Sequence, residues 1–276
     1  TSHITTDLLA NTLHEVGGIE ANVATGYHAI EFLLWGQDLN GTHAGAGNRP
    51  ASDFDTKNCK VGHCDRRSAY LLTAGQLLID DLTWMTEQWT KNGAARAALL
   101  KDEPAGISSI ITGMGSLSYG ELAGERIKLG VLLHDPEEEH DCFSDNTHYS
   151  HYYDILGIKN VFTGTYKTIS GKTLSGPSLA QLLAKKNHNT AKELNTAIDQ
   201  SLAAAQIVVD SAEKNGIAYD QLIAEGNTSG NAKVMGIVEA LLKQTEAIEA
   251  AVVALNIQKI EFEGSDSLDS PDSVFQ

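Results

Sequence analysis

The sequence has few of the features that mark membrane-spanning and nucleic-acid-binding proteins. It contains no uninterrupted apolar run of about 18 residues, the length that a transmembrane helix needs. Lys and Arg number 20 against 36 Asp and Glu, for a formal net charge of −16. Nucleic-acid binding needs a basic surface that displaces counterions, and the sequence has no basic run. We therefore expect no transmembrane segment and no nucleic-acid partner, and an acidic surface that either maintains solubility, which accounts for most of these charges, or attracts cations.

Proline, methionine and cysteine are also scarce. Five prolines, with abundant Ala and Leu, favour helix over strand. Three methionines are too few for a Met-rich copper site. Cys59 and Cys64 flank a short polar stretch whose spacing fits a disulfide in an oxidising compartment, two free thiols, or part of a zinc clip with His63. Cys142 is left over and is expected to stay a thiol.

Apolar residues recur at helical spacing through most of the chain. This spacing predicts helices over 5–36 with a break near Gly17-Gly18, 66–98, 105–133 with a bend or interruption at Gly113–Gly115, 178–215 and 229–256. The helix over 66–98 has the strongest apolar stripe, predicted to be buried: Leu71, Leu72, Leu77, Leu78, Leu82, Met85 and Trp89. The segments predicted to be irregular are a long loop over 37–65, a loop over 155–177 with room for a small hairpin, and the last sixteen residues.

Helices of this length predict an all-α fold of up-and-down bundles. Two stretches, NVATGYHAIEFLLWG and NTHYSHYYDILGIKNVFTG, each pair aromatic residues with histidine near the start of a half. Their similarity predicts two related bundles, as if one had been duplicated. The predicted boundaries are an N-terminal bundle over 1–135 and a C-terminal bundle over 136–276.

His28 and Glu31 are the most informative residues of the chain. Between Glu20 and Asp38 they are the only acidic or basic side chains, and apolar residues surround them on nearly every helical face. Such a helix is expected to be buried, and a buried carboxylate must pair, take up a proton or bind a metal. Their i,i+3 spacing places both on one face, either as a hydrogen-bonded core pair or as metal ligands. Gly26, one turn earlier, predicts that another group approaches the backbone closely.

A metal site needs more than these two ligands, because zinc and iron take four to six. Residues 134–154 hold seven acids, four histidines and no Lys or Arg, which indicates either a solvated acidic surface or ligands for a cation. His140, Asp145 and His148 are the predicted ligands from this segment. Asp135 and Pro136 are typical of an ordinary helix start.

Two further candidates, Glu121 and Glu125, are spaced to share a helix face. One of them is expected to complete the site, and Arg126 to hold a carboxylate by a bidentate pair. A surface salt bridge and a buried Arg–Glu pair are the alternatives. Mixed carboxylate and imidazole ligands suit iron, zinc or manganese.

Three segments together resemble the imelysin-like family. GYHAIEFLLWGQD is similar to the Gly-x-His-x-x-Glu signature of these proteins, and SYGELAGERI (118–127) and HDPEEEHDCFSDNTH (134–148) follow in the same order. The resemblance covers at least residues 15–165. It implies two helical bundles with a site between them, a periplasmic or cell-surface location, often through a lipid anchor on a removed N-terminal segment, and a role in iron uptake.

The expected function is therefore extracytoplasmic metal binding, with iron as the first choice and zinc as the alternative. The expected partners are a metal ion or a small iron-containing ligand, and uptake components of the cell envelope. Whether the chain is an enzyme stays open, with a non-enzymatic role favoured. One alternative is a zinc metallopeptidase in which Glu31 acts as base, although the usual His-Glu-x-x-His zinc pattern is absent. The other is a non-catalytic interaction scaffold.

Overall fold

The computed structural model describes residues 3–19, 22–258 and 260–275. In this part of the chain the regular structure is helical apart from one small hairpin, which confirms the predicted all-α class. Spatial contacts divide the chain into two compact units. Unit 1 comprises Thr1–Asn40 and Gly45–Ala98, and unit 2 comprises Gly41–Ala44 and Leu99–Gln276. The predicted boundary at residue 135 and the predicted duplication stay predictions.

Unit 1 is built around two helices that follow short helical turns. Its helices are α1 (Thr6–Leu8), continued by a π-helical turn (Leu9–Leu13), α2 (Gly26–Trp35), α3 (Cys64–Gln88) and the start of α4 (Ala94–Lys101). The predicted break at Gly17-Gly18 is present, where both glycines have positive φ. Residues 20 and 21 of the predicted 5–36 helix lie outside the described residues. Short 3₁₀ turns form at Val16–Gly18 and Ala51–Phe54.

Specific hydrogen bonds and one disulfide attach the loops of unit 1 to α3. The Tyr70 hydroxyl donates to the Ala24 carbonyl at 2.9 Å and so fixes the approach to α2. Arg67 donates through Nη1 to the Asp53 carbonyl at 2.7 Å, which holds the predicted irregular loop. Cys59 and Cys64 form a disulfide, as one of the three interpretations predicted. Cys142, in unit 2, remains a thiol.

The predicted buried stripe of α3 is wrong for most of its members. The buried residues of this helix are Cys64 and Ala74. Leu72 is 74% exposed, and Leu82, Met85 and Trp89 are each about half exposed. The apolar pattern correctly indicates which residues share a face, but it carries no information about whether another element covers that face. The predicted 66–98 helix also ends early, at Gln88, and chain direction changes before Gly93.

Unit 2 contains the long helices and the main apolar core. Its elements are α5 (Glu103–Ser116), a π-helix (Leu117–Lys128), α6 (Leu129–Leu133), a 3₁₀ turn (Pro136–Glu138), α7 (Thr147–Thr163), β1 (Thr165–Lys167), β2 (Thr173–Ser175), α8 (Leu179–Lys186), α9 (His188–Asn215), α10 (Tyr219–Ile223), α11 (Thr228–Ala254), α12 (Asp266–Asp269) and a 3₁₀ turn (Pro271–Phe275). The predicted hairpin is confirmed, with Tyr166 opposite Leu174 in antiparallel register. The predicted 155–177 loop is wrong before Thr163, because α7 continues to that residue.

The structure changes two of the helix predictions in unit 2. The predicted 178–215 helix divides at Asn187, whose side chain accepts hydrogen bonds from the backbone N–H groups of Asn189 and Thr190 and so caps α9. Of the bend or interruption predicted at Gly113–Gly115, the interruption does not occur. Instead the helix continues and its hydrogen bonding changes to the π pattern at Leu117.

The core of unit 2 consists of two apolar clusters between its long helices. The first involves the π-helix, α9, α10 and α11, with Ile127, Leu222 and Ile237 almost fully buried. The second involves α5, α7, α8, α9 and α11 and includes the fully buried Phe162 and Ile198. This mutual covering of apolar stripes is what makes the long helices stable.

Residues 262–267 pack against α5 and the π-helix, and short helical turns follow at Asp266–Asp269 and Pro271–Phe275, so the described part of the predicted irregular tail is structured. Cβ atoms added at Gly115, Gly120 and Gly124 would collide with Phe262, with the Glu263 carbonyl and with Ser265. Ser267 donates a hydrogen bond to the Gly124 carbonyl at 2.9 Å. The glycines therefore form a groove that accepts the later segment.

Candidate metal centre

The helix that carries the first two candidate ligands starts at a glycine in the left-handed region. Gly26 has φ +80°, which side chains rarely adopt, and apart from its chain neighbours and the nearby backbone of its own helix no atom of the described residues lies within 4 Å of the place where its Cβ would be. Gly26 is therefore required by the backbone turn into α2. The approach of another backbone predicted at Gly26 is not found among the described residues, and the approach of a ligand there stays a prediction.

His28 and Glu31 lie on the same turn of α2 and contact each other. His28 Nδ1 and Glu31 Oε2 are 3.1 Å apart, and the two side chains are 44% and 10% exposed. The predicted burial is thus right for Glu31 and wrong for His28. The reason is that α2 buries only one face, with Ala29 and Leu33. It leaves four of its other apolar side chains exposed: Tyr27, Phe32, Leu34 and Trp35.

This pair has the composition of a metal-ligand set. An imidazole oriented through one nitrogen by a carboxylate is the usual arrangement of histidines that bind metals. His28 and Glu31 belong to a group of imidazole and carboxylate side chains that could hold a metal ion. Nitrogen and hard oxygen donors fit iron, zinc or manganese. The donor set therefore suits the predicted metals but does not distinguish between them.

In unit 2, the turn before α7 holds an aspartate that the sequence analysis missed. The backbone N–H of Asp141 donates to Thr147 Oγ1 at 2.9 Å, and the Ser150 hydroxyl donates to Asp141 Oδ2. These bonds orient the half-buried carboxylate, which is one of the groups able to contribute a metal ligand. Its only sequence signal was its position next to His140 in the family-like segment.

The three ligands predicted from 134–154 have separate surroundings. His140 Nδ1 lies 3.9 Å from Asp154 Oδ2. The buried His148 places Nε2 3.2 Å from Glu213 Oε1, on α9. Asp145 is half-buried and has a positive φ of 56° immediately before α7. Asp135 accepts a hydrogen bond from the backbone of Glu137, so the predicted helix start is present as a 3₁₀ turn.

The π-helix changes the expected relation of Glu121, Glu125 and Arg126. Its hydrogen bonds join residues five apart, so Glu121 faces Arg126. The Arg126 Nε to Glu121 Oε1 distance is 2.7 Å, and each side chain is more than 40% exposed. Glu125 is exposed. This is the surface salt bridge among the alternatives, and such pairs contribute about 0–1 kcal/mol.

A polar region beneath this salt bridge was also missed by the sequence analysis. His151 is 1% exposed, and neither ring nitrogen has a hydrogen-bond partner in the described part of the chain. Burial, with the nearby His140, lowers its pKa well below 6.5, so the ring is neutral. Burial also raises the pKa of Asp154 to about 6, with Glu121 adding to the shift and Arg126 opposing it. Asp154 and His140 border a pocket of about 360 Å³.

Comparison with known families places this arrangement in context. The family model described as Imelysin matches residues 1–248. The chain belongs to the imelysin family. The match confirms the resemblance drawn from the Gly-x-His-x-x-Glu segment of α2. It extends that resemblance from residues 15–165 to residues 1–248 of this imelysin-family chain. Among curated proteins, none is detectably similar.

Proposed function

We propose that this imelysin-family chain binds iron outside the cytoplasm and acts in iron uptake without catalysing a reaction. His28 and Glu31 supply two ligands, and residues 134–154 supply others, with Asp141 first among them. The observation that carries the proposal is the side chain of Glu31, which is 10% exposed and places Oε2 3.1 Å from an imidazole nitrogen on the signature helix. A buried carboxylate is costly unless a cation or donors neutralise it.

The donor chemistry explains why more than the α2 pair is needed. Two ligands leave most coordination positions of iron to water, which gives weak binding. Asp141 is the preferred third ligand because Ser150 and Thr147 orient it in advance. His140, Asp145, His148, Glu121 and Glu125 remain candidate contributors, and the exposed Glu125 is the weakest of them.

The proposed location rests on cysteine chemistry and on the family. Disulfides persist in oxidising compartments, and Cys59 and Cys64 form one. We propose a periplasmic or cell-surface location, with attachment through a lipid anchor. In the described residues, none of the helices combines the length and apolar character needed to cross a membrane. The iron arrives as an ion or within a small chelate, and envelope uptake components are the proposed partners.

Metal analysis of protein purified without chelator tests the proposal. We expect about one iron per chain after incubation with ferrous or ferric salt, bound with coupled release of protons. Glu31→Gln is expected to weaken binding by at least tenfold, since even outer-shell partners change metal affinity by about 10–100-fold. Glu193→Gln, an isosteric change at an exposed glutamate of α9 that is not a candidate ligand, is the matched control. Equal iron content in wild type and Glu31→Gln would contradict the proposal.

A second pair of variants tests the contribution of residues 134–154. Asp141→Asn is expected to reduce iron affinity by about 10–100-fold, whereas Asp145→Asn is expected to change it less. The two residues lie in the same turn region, so the pair controls for local charge. If Asp145→Asn instead reduced the iron affinity more than Asp141→Asn, then Asp145 rather than Asp141 would be the third ligand.

The second candidate function is a zinc metallopeptidase, which the peptidase designation of the matched family favours. In that case Glu31 would act as the base toward water at a zinc site. Unfolded insulin chain and casein, incubated with and without zinc, are the substrates for the test. Cleavage by the wild-type protein that Glu31→Gln abolishes would establish this alternative. Absence of cleavage both with and without zinc would exclude it. Failure to bind either metal would leave the scaffold interpretation.

A further inference from the structure

One side of α3 presents an apolar surface to solvent. We call it the α3 apolar face and define it by five residues that share one side of the helix and are 46–74% exposed: Leu72, Ile79, Leu82, Met85 and Trp89. Four of them lie within the 25 residues of α3, and Trp89 is the residue that caps its C-terminal end. Trp84, also on α3 and 59% exposed, falls on the opposite side by helical periodicity and is not part of the face. Large contiguous apolar surfaces on soluble proteins usually mark interaction sites. We therefore expect that a binding partner covers this face and excludes water from it.

The spacing along this face is that of a helix-packing seam. Leu72 and Ile79 are seven residues apart, as are Leu82 and Trp89, and Ile79 precedes Leu82 by three. Alternating steps of three and four place side chains along the stripe that a second helix covers with knobs-into-holes packing. Met85 adds to one edge of the same stripe. This pattern favours a helical partner over an extended strand or a flat surface.

The charges beside the stripe indicate which kind of helix fits. Between Ser68 and Thr90 the chain has three acids, Asp80, Asp81 and Glu87, and no Lys or Arg. All three acids are exposed. A second copy of this chain would bring like charges together on a protein whose net charge is already −16. A partner with basic flanks would instead pair with them.

We propose that the α3 apolar face binds an amphipathic α-helix that has one apolar stripe and Lys or Arg along its flanks. Residues 72–89 extend for roughly 26 Å at 1.5 Å per residue, which a partner helix of about 18 residues covers. The apolar stripe provides most of the binding free energy, and the basic flanks select this partner and its orientation.

Calorimetric titration of the full chain with three synthetic helical peptides tests the proposal. The basic peptide has Leu at the seam positions and Lys at the flanks. Its acidic twin replaces Lys with Glu, and the third peptide keeps Lys but replaces the seam Leu with Ser. Only the basic amphipathic peptide is expected to bind, and its affinity is expected to fall as salt is raised. Equal binding of the acidic twin, or no binding by any peptide, would overturn the proposal.

Protein variants locate the binding on the face. Leu82→Ser is expected to weaken binding of the basic peptide by about tenfold or more. Ile169→Ser, a matched change at a fully exposed isoleucine in the hairpin turn, is expected to leave it unchanged. Thermal unfolding confirms that both variants fold, since both positions are exposed. Undiminished binding by Leu82→Ser would overturn the proposal, as would a wild-type dimer that Leu82→Ser dissociates, because the occupant would then be a second copy.

Discussion

The two units of this chain are stabilised in different ways. Unit 2 buries the apolar stripes of its long helices in two clusters that include Phe162 and Ile198. Unit 1 buries few apolar residues among those described, namely Leu9, Ala24, Ala29, Leu33, Cys64 and Ala74, and depends on a disulfide and on hydrogen bonds from α3 to its loops. The comparison teaches that the same helical pattern can supply a core or a binding surface, according to what covers it.

The largest expected effect contrasts one buried and one exposed apolar residue. Phe162→Ala in unit 2 is expected to reduce the free energy of unfolding by about 3–5 kcal/mol, because it removes a fully buried ring and leaves a cavity. Leu82→Ala in unit 1 is expected to change it by no more than about 0.5 kcal/mol, because Leu82 is exposed. Urea unfolding measures both. Similar losses for the two variants would remove the distinction between the units.

Removal of the disulfide is expected to have a smaller effect on the free energy of unfolding. The structural effect should be confined to unit 1. Replacing Cys59 and Cys64 with Ser is expected to cost about 2 kcal/mol, the chain-entropy contribution of a short closed loop. Hydrogen exchange should then increase in the loop before α3 and in the first turn of α3. Exchange in α9 and α11 should not change, and Cys142→Ser serves as the control. Faster exchange throughout unit 2 would show that the units do not respond independently.

The smallest effect on the free energy of unfolding concerns Asp154, whose burial as a charged carboxylate destabilises unit 2. Burial raises the pKa of Asp154 from 3.8 to about 6, so the folded state binds more protons than the unfolded state between these values. Its contribution to stability therefore falls as pH rises from about 4 to 6 and is constant above that range. Asp154→Asn is expected to remove this dependence in the metal-free protein. The side chain is 33% exposed, so solvent screening limits the gain at pH 7 to about 1 kcal/mol.

A titration of unfolding free energy from pH 4 to 8 provides the measurement, with Asp199→Asn as the control. Asp199 is half exposed on α9, where Lys159 donates to it at 2.6 Å. An unchanged pH profile in Asp154→Asn would show that another group is responsible.

The sequence predicted the helices well where apolar spacing and local caps determine them. The ends of α11 and the hairpin at Tyr166 are examples, because they depend on nearby residues. The exposure of Leu72 and Trp89 could not be predicted in this way, because burial depends on distant parts of the fold. The order of the segment after α11 was missed for the same reason, since its partners are glycines about 140 residues earlier in sequence.

The candidate site shows the same limit. The contact between His28 and Glu31 follows from their spacing on one helical turn, and the sequence was enough to predict it. A surface salt bridge of Arg126 was among the predicted alternatives, but the sequence did not indicate that Glu121 is its partner, because the apolar pattern does not distinguish π from α winding. Asp141 was missed because its orientation depends on Thr147 and Ser150 in the next helix.

The glycine groove of unit 2 has a consequence for the way this family evolves. Any side chain larger than hydrogen at Gly115 or Gly124 meets Phe262 or Ser265, so the earlier and later positions constrain one another. In related sequences, a change to alanine at either glycine should be accompanied by a smaller residue at its later counterpart. These pairs should therefore covary despite the length of chain that separates them.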